Sequence, residues 1–361
     1  MNGSRCACGA LTTLADRPDA TVVRHAGIVA KAHAPDTDPT ELALRLAVAA
    51  GLPNVLLSPL DPSPTPLDGR LVTLWPYGTP VDPDDPDAAP WEAAATLLAH
   101  LHRTPAPAAS APTVADPAAA ARASVAPPST APDPAAAASI ARASAAAPAP
   151  ASAAPASIHP VAPAPTTLPR LPAPAPPPPM RGPVKAARAI ALLRAPGAPH
   201  PAVAPVLQAW ATLPAWARAE APMPDRATLC HGDLHLGQLV RHPAPDGPWR
   251  LIDVDDLGVG VPAWDLARPA AWYACGLLAP DEWTRFLTAY RAAGGPAVPA
   301  EGDPWPALDV PARALTAQSA ARAVGKAIAA DRPLDEVELS LVDACARMSP
   351  IPPELGGDFA K

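Results

Sequence analysis

Residues 231–238 read His231-Gly-Asp-Leu-His-Leu-Gly-Gln238, and a second apolar run closes on Leu251-Ile-Asp253-Val-Asp255-Asp256. Ala227-Thr-Leu-Cys230 precedes the first motif and Leu239-Val240 follows it. Two short apolar runs, the one before the motif and the one at 249–252 after the Pro- and Gly-containing turn 243–248, can form a hairpin. Each run delivers an acid to its end, so the hairpin brings Asp233 and Asp253 together. Either acid alone reads as an ordinary turn or cap residue. The joint spacing of His-Gly-Asp, Gln238, Ile252-Asp253 and the later Asp265-Leu-Ala267 is far more specific.

Paired carboxylates of this kind suit phosphoryl transfer from a nucleotide. One orients or deprotonates the attacking group, and another holds a Mg²⁺ that bridges the phosphates. An amide side chain five residues after the base can add its carbonyl oxygen, a hard ligand, to the metal shell.

A His-Gly-Asp loop with a metal-binding amide, followed by a strand ending in Asp, resembles the aminoglycoside phosphotransferase and choline kinase family. The resemblance runs from about residue 20 to about residue 347, interrupted by a Pro/Ala-rich stretch. It implies an α+β, bilobal protein-kinase-like fold, with a small strand-rich N-lobe and a larger, mainly helical C-lobe. It also implies ATP, Mg²⁺ and a small-molecule hydroxyl acceptor: a sugar, an aminosugar, an aminoglycoside-like compound or an amino alcohol. Asp233 then corresponds to the catalytic base, Gln238 to the metal-binding Asn, and Asp253 to the metal-binding Asp. Asp255 is a second metal candidate, and His235, Asp256 and Trp264 are candidates to face the acceptor. Lys31, in Val29-Ala-Lys31, matches the lysine that contacts the nucleotide phosphates, with Glu41 placed to pair with it. Trp75 to Gly78 would form the interlobe hinge, whose backbone, at Trp75 and Tyr77, contacts adenine. Asp265 reads as a cap or loop brace. Two departures stand out. Gln238 replaces Asn, as in the similar maltokinase branch, and Gly27 is the only glycine in 21–30, where a glycine-rich loop is expected.

Outward from the motif, the chain divides into five parts. Residues 1–18 read as a flexible tail. Residues 19–78 read as the nucleotide-binding lobe: a hairpin of 21–24 and 28–33, a helix from Glu41 to Ala50, and strands at Val55–Leu57 and Arg70–Trp75. Residues 79–104 supply the hinge and a linking helix. Residues 105–182 read as a disordered insertion, because 105–180 hold 21 of the 57 prolines and no aromatic lies between Trp91 and Trp210. Residues 183–361 form the catalytic and acceptor-binding lobe, with helices near 184–195, 202–219, 264–277, 281–293, 307–330 and 334–347.

A net charge of −7 disfavours nucleic acid as a partner. The odd, irregularly spaced cysteines do not complete a zinc set, although Cys6 and Cys8 lie close together. No apolar run is long enough for a signal peptide or a membrane span, so a cytoplasmic location is expected. Two other functions stay open at this level. One is a metallohydrolase using His231, Asp233 and His235; the other is a kinase-like module that binds ATP without catalysis.

Overall fold

Antiparallel backbone pairing builds the N-terminal lobe, with alternating burial at Thr73, Leu74 and Trp75 of its central segment. Strands β1 (Thr12–Arg17), β2 (Ala20–His25), β3 (Ile28–Ala32), β4 (Thr65–Leu67) and β5 (Arg70–Pro76) form one antiparallel sheet in the order β1-β2-β3-β5-β4. Val29 pairs with Trp75 and Lys31 with Thr73 on the covered face, while Ile28 and Leu74 lie exposed on the other. Helix α1 (Pro39–Gly51) starts on Asp38, whose carboxylate accepts the Thr40 and Glu41 N–H groups at 2.8 and 2.9 Å. It buries Leu42, Arg45, Leu46 and Ala49, the i, i+3, i+4, i+7 stripe of an amphipathic helix.

The computed structural model describes residues 11–17, 19–106, 176–195, 200–225 and 227–348. Most of the expected insertion, and Cys6 with Cys8, lie outside these residues.

After β6 (Thr79–Pro80), helix α2 (Trp91–Arg103) begins without a side-chain cap. A missing cap costs about 1 kcal/mol. Burying Leu97, Leu98 and Leu101 contributes about 1.5–3 kcal/mol each, so packing outweighs the cap. The C-lobe continues with α3 (Gly182–Arg194), α4 (Val203–Ala211), β7 (Leu229–Cys230), β8 (Leu239–Arg241), β9 (Trp249–Leu251) and β10 (Gly258–Val259). Helices α5 (Ala267–Ala274), α6 (Pro280–Ala292), α7 (Trp305–Ala329) and α8 (Glu336–Arg347) complete it. β6, β8 and β9 form one small sheet, β7 and β10 another. The core includes Phe286 and Tyr290 of α6, with Trp91 edge-on to Phe286. This is the expected α+β, bilobal arrangement of a strand-rich lobe and a helical lobe. No helix among the described residues is long and apolar enough to cross a membrane.

Several boundaries differ from expectation. Thr12–Arg17, assigned to the loose tail, is an edge strand; its mostly exposed side chains give no burial pattern, and backbone pairing to β2 holds it. Val55–Leu57 is no strand of the N-lobe sheet. Leu56 bridges Leu251 of β9, because three consecutive buried side chains suit a core segment better than a half-exposed sheet. The helix expected over 202–219 stops at Ala211, and Pro214, which cannot donate to a helical ladder, opens a run of turns. The end of the expected insertion, 176–182, is packed: Pro179 bridges Val259, Met180 is buried, and Gly182 already belongs to α3.

Candidate active site

The motif occupies the loop between β7 and β8, with a 3₁₀ turn at Leu236–Gln238. Its entry needs glycine at 232. That residue has φ +88°, and a Cβ there would meet the Asp256 carbonyl oxygen at 2.3 Å. Asp265 braces the same turn from below: its carboxylate accepts the backbone N–H of His231 at 2.6 Å and of Gly232 at 2.7 Å. His102 of α2 lies 2.9 Å from the same carboxylate and 2.7 Å from the Tyr290 hydroxyl. His231 donates from Nε2 to Ile252 O at 2.8 Å, which ties the loop to the strand before Asp253. Gly232→Ala is expected to destabilise the fold by at least about 1–2 kcal/mol from the left-handed backbone alone. A denaturant midpoint equal to wild type would contradict this account of the turn.

Asp233 sits between two cations. Lys185 Nζ of α3 is 2.6 Å from Oδ2, and an Arg268 guanidinium nitrogen of α5 is 2.6 Å from Oδ1. Burial pushes this carboxyl up, but Lys185 and Arg268 outweigh it and hold it well below the usual carboxylate range. The same Lys185 ammonium lies 2.6 Å from Asp256 Oδ2. For Asp256 burial wins over Lys185, and its carboxyl is raised.

A second cluster lies under the N-lobe sheet. Lys31 Nζ is 2.7 Å from Asp253 Oδ1 and 2.8 Å from Asp255 Oδ2, and His33 Nδ1 is 2.9 Å from Asp255 Oδ1. Burial alone would lower Lys31; the two carboxylates outweigh it and hold the ammonium above its ordinary range. Burial likewise works against the charge of Asp253 and Asp255, and Lys31 overcomes it in both, so both are held low. Asp253 has φ 66°, a left-handed backbone that aims its carboxylate back at the loop. Gln238 places its amide nitrogen 3.3 Å from Asp253 Oδ2, so in this rotamer the N–H₂ group, rather than the carbonyl, faces the acid.

Other expected site residues fall elsewhere. Glu41 does not pair with Lys31. It reaches Arg45 on its own helix at 3.0 Å, and Arg45 in turn donates to Leu257 O, so α1 is tied to the Asp253 segment by an arginine. Trp75 belongs to β5 with its indole buried and bonded to Thr73, so its ring is core. Tyr77 starts the connector; its N–H goes to Gly27 O at 2.8 Å and its ring lies 3.4 Å beneath Arg24. Trp264 is 3% exposed and packs against Gly182, so it is core rather than acceptor-facing. His231, Asp233 and His235 do not converge as three ligands. Among the described residues the one such set is His102, Cys230 and Asp265.

His235 is partly buried next to Arg268, facing a shallow depression lined also by Trp91 and Trp272. Burial, aided by Arg268 and opposed by Asp233, brings its imidazole down to about 4. A histidine lowered in the fold binds more protons when unfolded between about 6.5 and 4, so its contribution is present above that window and lost as pH falls through it. Wild-type stability should therefore drop from about pH 6.5 toward 4, and His235→Asn should flatten that slope. Equal slopes in denaturant titrations of the two proteins would remove His235 from this role.

Sequence reasoning missed Lys185, Arg268 and His33. A signal existed for the first: Lys185 is one of only four lysines in the chain. Arg268 lies three residues after the bracing Asp265, on the next turn of the same segment.

A family model described as the Phosphotransferase enzyme family matches residues 20–305. Similar solved structures include a choline/ethanolamine kinase family protein from Mesorhizobium loti, 13% identical, with 94% of this chain and 86% of that chain covered and a TM-score of 0.49. Others are a macrolide 2'-phosphotransferase from Brachybacterium faecium (16% identical, 93% and 92% covered, TM-score 0.42) and an ethanolamine kinase from Plasmodium vivax (9%, 93% and 80%, TM-score 0.45). No curated protein matches the sequence.

Proposed function

This chain belongs to the phosphotransferase enzyme family, and from that premise we propose that it transfers the γ-phosphoryl group of ATP, with Mg²⁺, to a hydroxyl of a small molecule. The acceptor class is a sugar, an aminosugar, an aminoglycoside-like compound or an amino alcohol. One observation carries the reading: Asp233 and the pair Asp253/Asp255 are paired with cations in separate clusters, one on the motif loop and one at Lys31.

Asp253, Asp255 and the Gln238 carbonyl, once its amide is rotated, make a hard-oxygen donor set suited to Mg²⁺. The Lys31 ammonium between the two carboxylates supports a preference for positive charge there. A bound ion would supply neutralisation of phosphate charge. Lys31 contacts nucleotide phosphates, Asp233 orients the acceptor hydroxyl and takes its proton, and Arg268 fixes one oxygen of Asp233. His235, in the depression with Trp91 and Trp272, faces the acceptor.

The test is ATP consumption across aminoglycosides, glucosamine, maltose, choline and other amino alcohols. Acceptor-dependent ADP release with at least one class supports the proposal. One feature favours a non-catalytic, ATP-binding module instead: the connector N–H of Tyr77 is already bonded to Gly27 O, under a hairpin without a glycine-rich tip. Mg-ATP binding without transfer to any acceptor would select that second reading.

A further inference from the structure

Both oxygens of Asp233 are engaged by cations, and a base needs one of them free within hydrogen-bond reach of the acceptor hydroxyl. The two cations differ in how they are held. Arg268 also donates from Nε to Leu234 O at 3.0 Å, so it is fixed to the loop that it serves. The hydrogen bonds of the Lys185 ammonium go to Asp233 and Asp256, and its side chain is 28% exposed at the start of α3. Releasing Oδ2 therefore means moving Lys185 while it keeps Asp256.

The destination follows from charge. In phosphoryl transfer the equatorial oxygens carry the negative charge, and fixed cations beside them supply much of the catalysis. Loop residues 234–238 contain no arginine or lysine. The attacking oxygen must touch both Asp233 and the phosphorus, so the transferring group lies within a side-chain rotation of Lys185.

We propose that Lys185 is a catalytic residue that shields Asp233 before transfer and moves to the γ-phosphoryl oxygens during it, with Asp256 as its anchor. The inference rests on the phosphotransferase reading above. In the step itself, the acceptor oxygen bonds to phosphorus as the bond from phosphorus to the bridging oxygen breaks. That electron pair leaves with ADP, and the hydroxyl proton passes to Asp233 Oδ2 and then to solvent. Lys185 makes and breaks no covalent bond.

Lys185→Gln keeps hydrogen-bond donors and removes the charge. Calorimetry with Mg²⁺ compares ADP with the non-hydrolysable triphosphate AMP-PNP. The variant should lose about tenfold or more affinity for AMP-PNP, with ADP within about twofold of wild type. Turnover should fall by about 100-fold, and Lys185→Arg should recover part of both losses. The double variant Lys185→Gln/Asp256→Asn removes one charge of each sign, so it serves if the single variant does not fold; the same loss of triphosphate discrimination is expected. Equal or absent weakening of the two nucleotides would make Lys185 a structural clamp and overturn the proposal. Wild-type protein binding neither nucleotide would instead overturn the phosphotransferase reading, and this inference with it.

Discussion

Asp233→Asn should lower turnover by about 10²- to 10⁴-fold while leaving Mg-ATP affinity within a few-fold of wild type. Asparagine matches aspartate in size and keeps an oxygen for Lys185 or Arg268, so the loop retains its shape. The loss is specific to the attacking hydroxyl, which no longer has a carboxylate to orient it and receive its proton. A fall in kcat and kcat/KM together, with unchanged nucleotide affinity, is the signature of an interaction made in the transition state. The two flanking cations sharpen the expectation. With both in place, Asp233 is held ionised well below the usual carboxylate range. Turnover equal to wild type would dismiss Asp233 as the base.

Asp253→Asn should act on the other half of the chemistry. It removes the carboxylate that faces both Lys31 and Gln238. Asparagine tolerates the left-handed φ of 66° at this position, so the backbone has no new strain to relieve. Lys31 keeps Asp255 at 2.8 Å, so the buried ammonium is not left without a partner. Metal-supplied charge stabilisation is worth several kcal/mol, so turnover should fall by about 100-fold or more. Unlike Asp233→Asn, this variant should need a higher Mg²⁺ concentration for half-maximal nucleotide binding. Calorimetry with AMP-PNP at stepped Mg²⁺ separates the two. An unchanged Mg²⁺ requirement would take Asp253 out of the metal site.

The two variants probe residues that the sequence brought together by motif alone. His231 to Gln238 and Ile252-Asp253 are local patterns: a glycine forced by a positive φ, apolar runs that must be buried, and acids at strand ends. Local patterns survive in one dimension because short-range sterics and burial impose them. The same holds for α1, announced by Asp38, Pro39 and the apolar stripe of Leu42, Leu46 and Ala49, and for the β2–β3 hairpin. β1 and β4 were invisible because an exposed edge strand is held by backbone bonds and places no demand on side-chain type.

Cation partners behaved differently. Glu41 lies at a helix start ten residues beyond Lys31, yet the pair does not form, because Arg45 on the same helix is nearer and Lys31 meets two acids more than two hundred residues away. Lys185 and Arg268 flank Asp233 from helices on either side of the motif in sequence. Trp264 has the composition of a ligand-stacking residue and is buried against Gly182. By itself the sequence determined the motif loop, the α+β two-lobe class and the acids gathered around that loop, since each depends on near neighbours or on periodic burial. The tertiary structure alone decided which cations neutralise those acids and which aromatics stay in the core. Long flexible side chains choose partners by three-dimensional proximity and by the cost of leaving a buried charge unpaired, and neither is encoded in spacing along the chain.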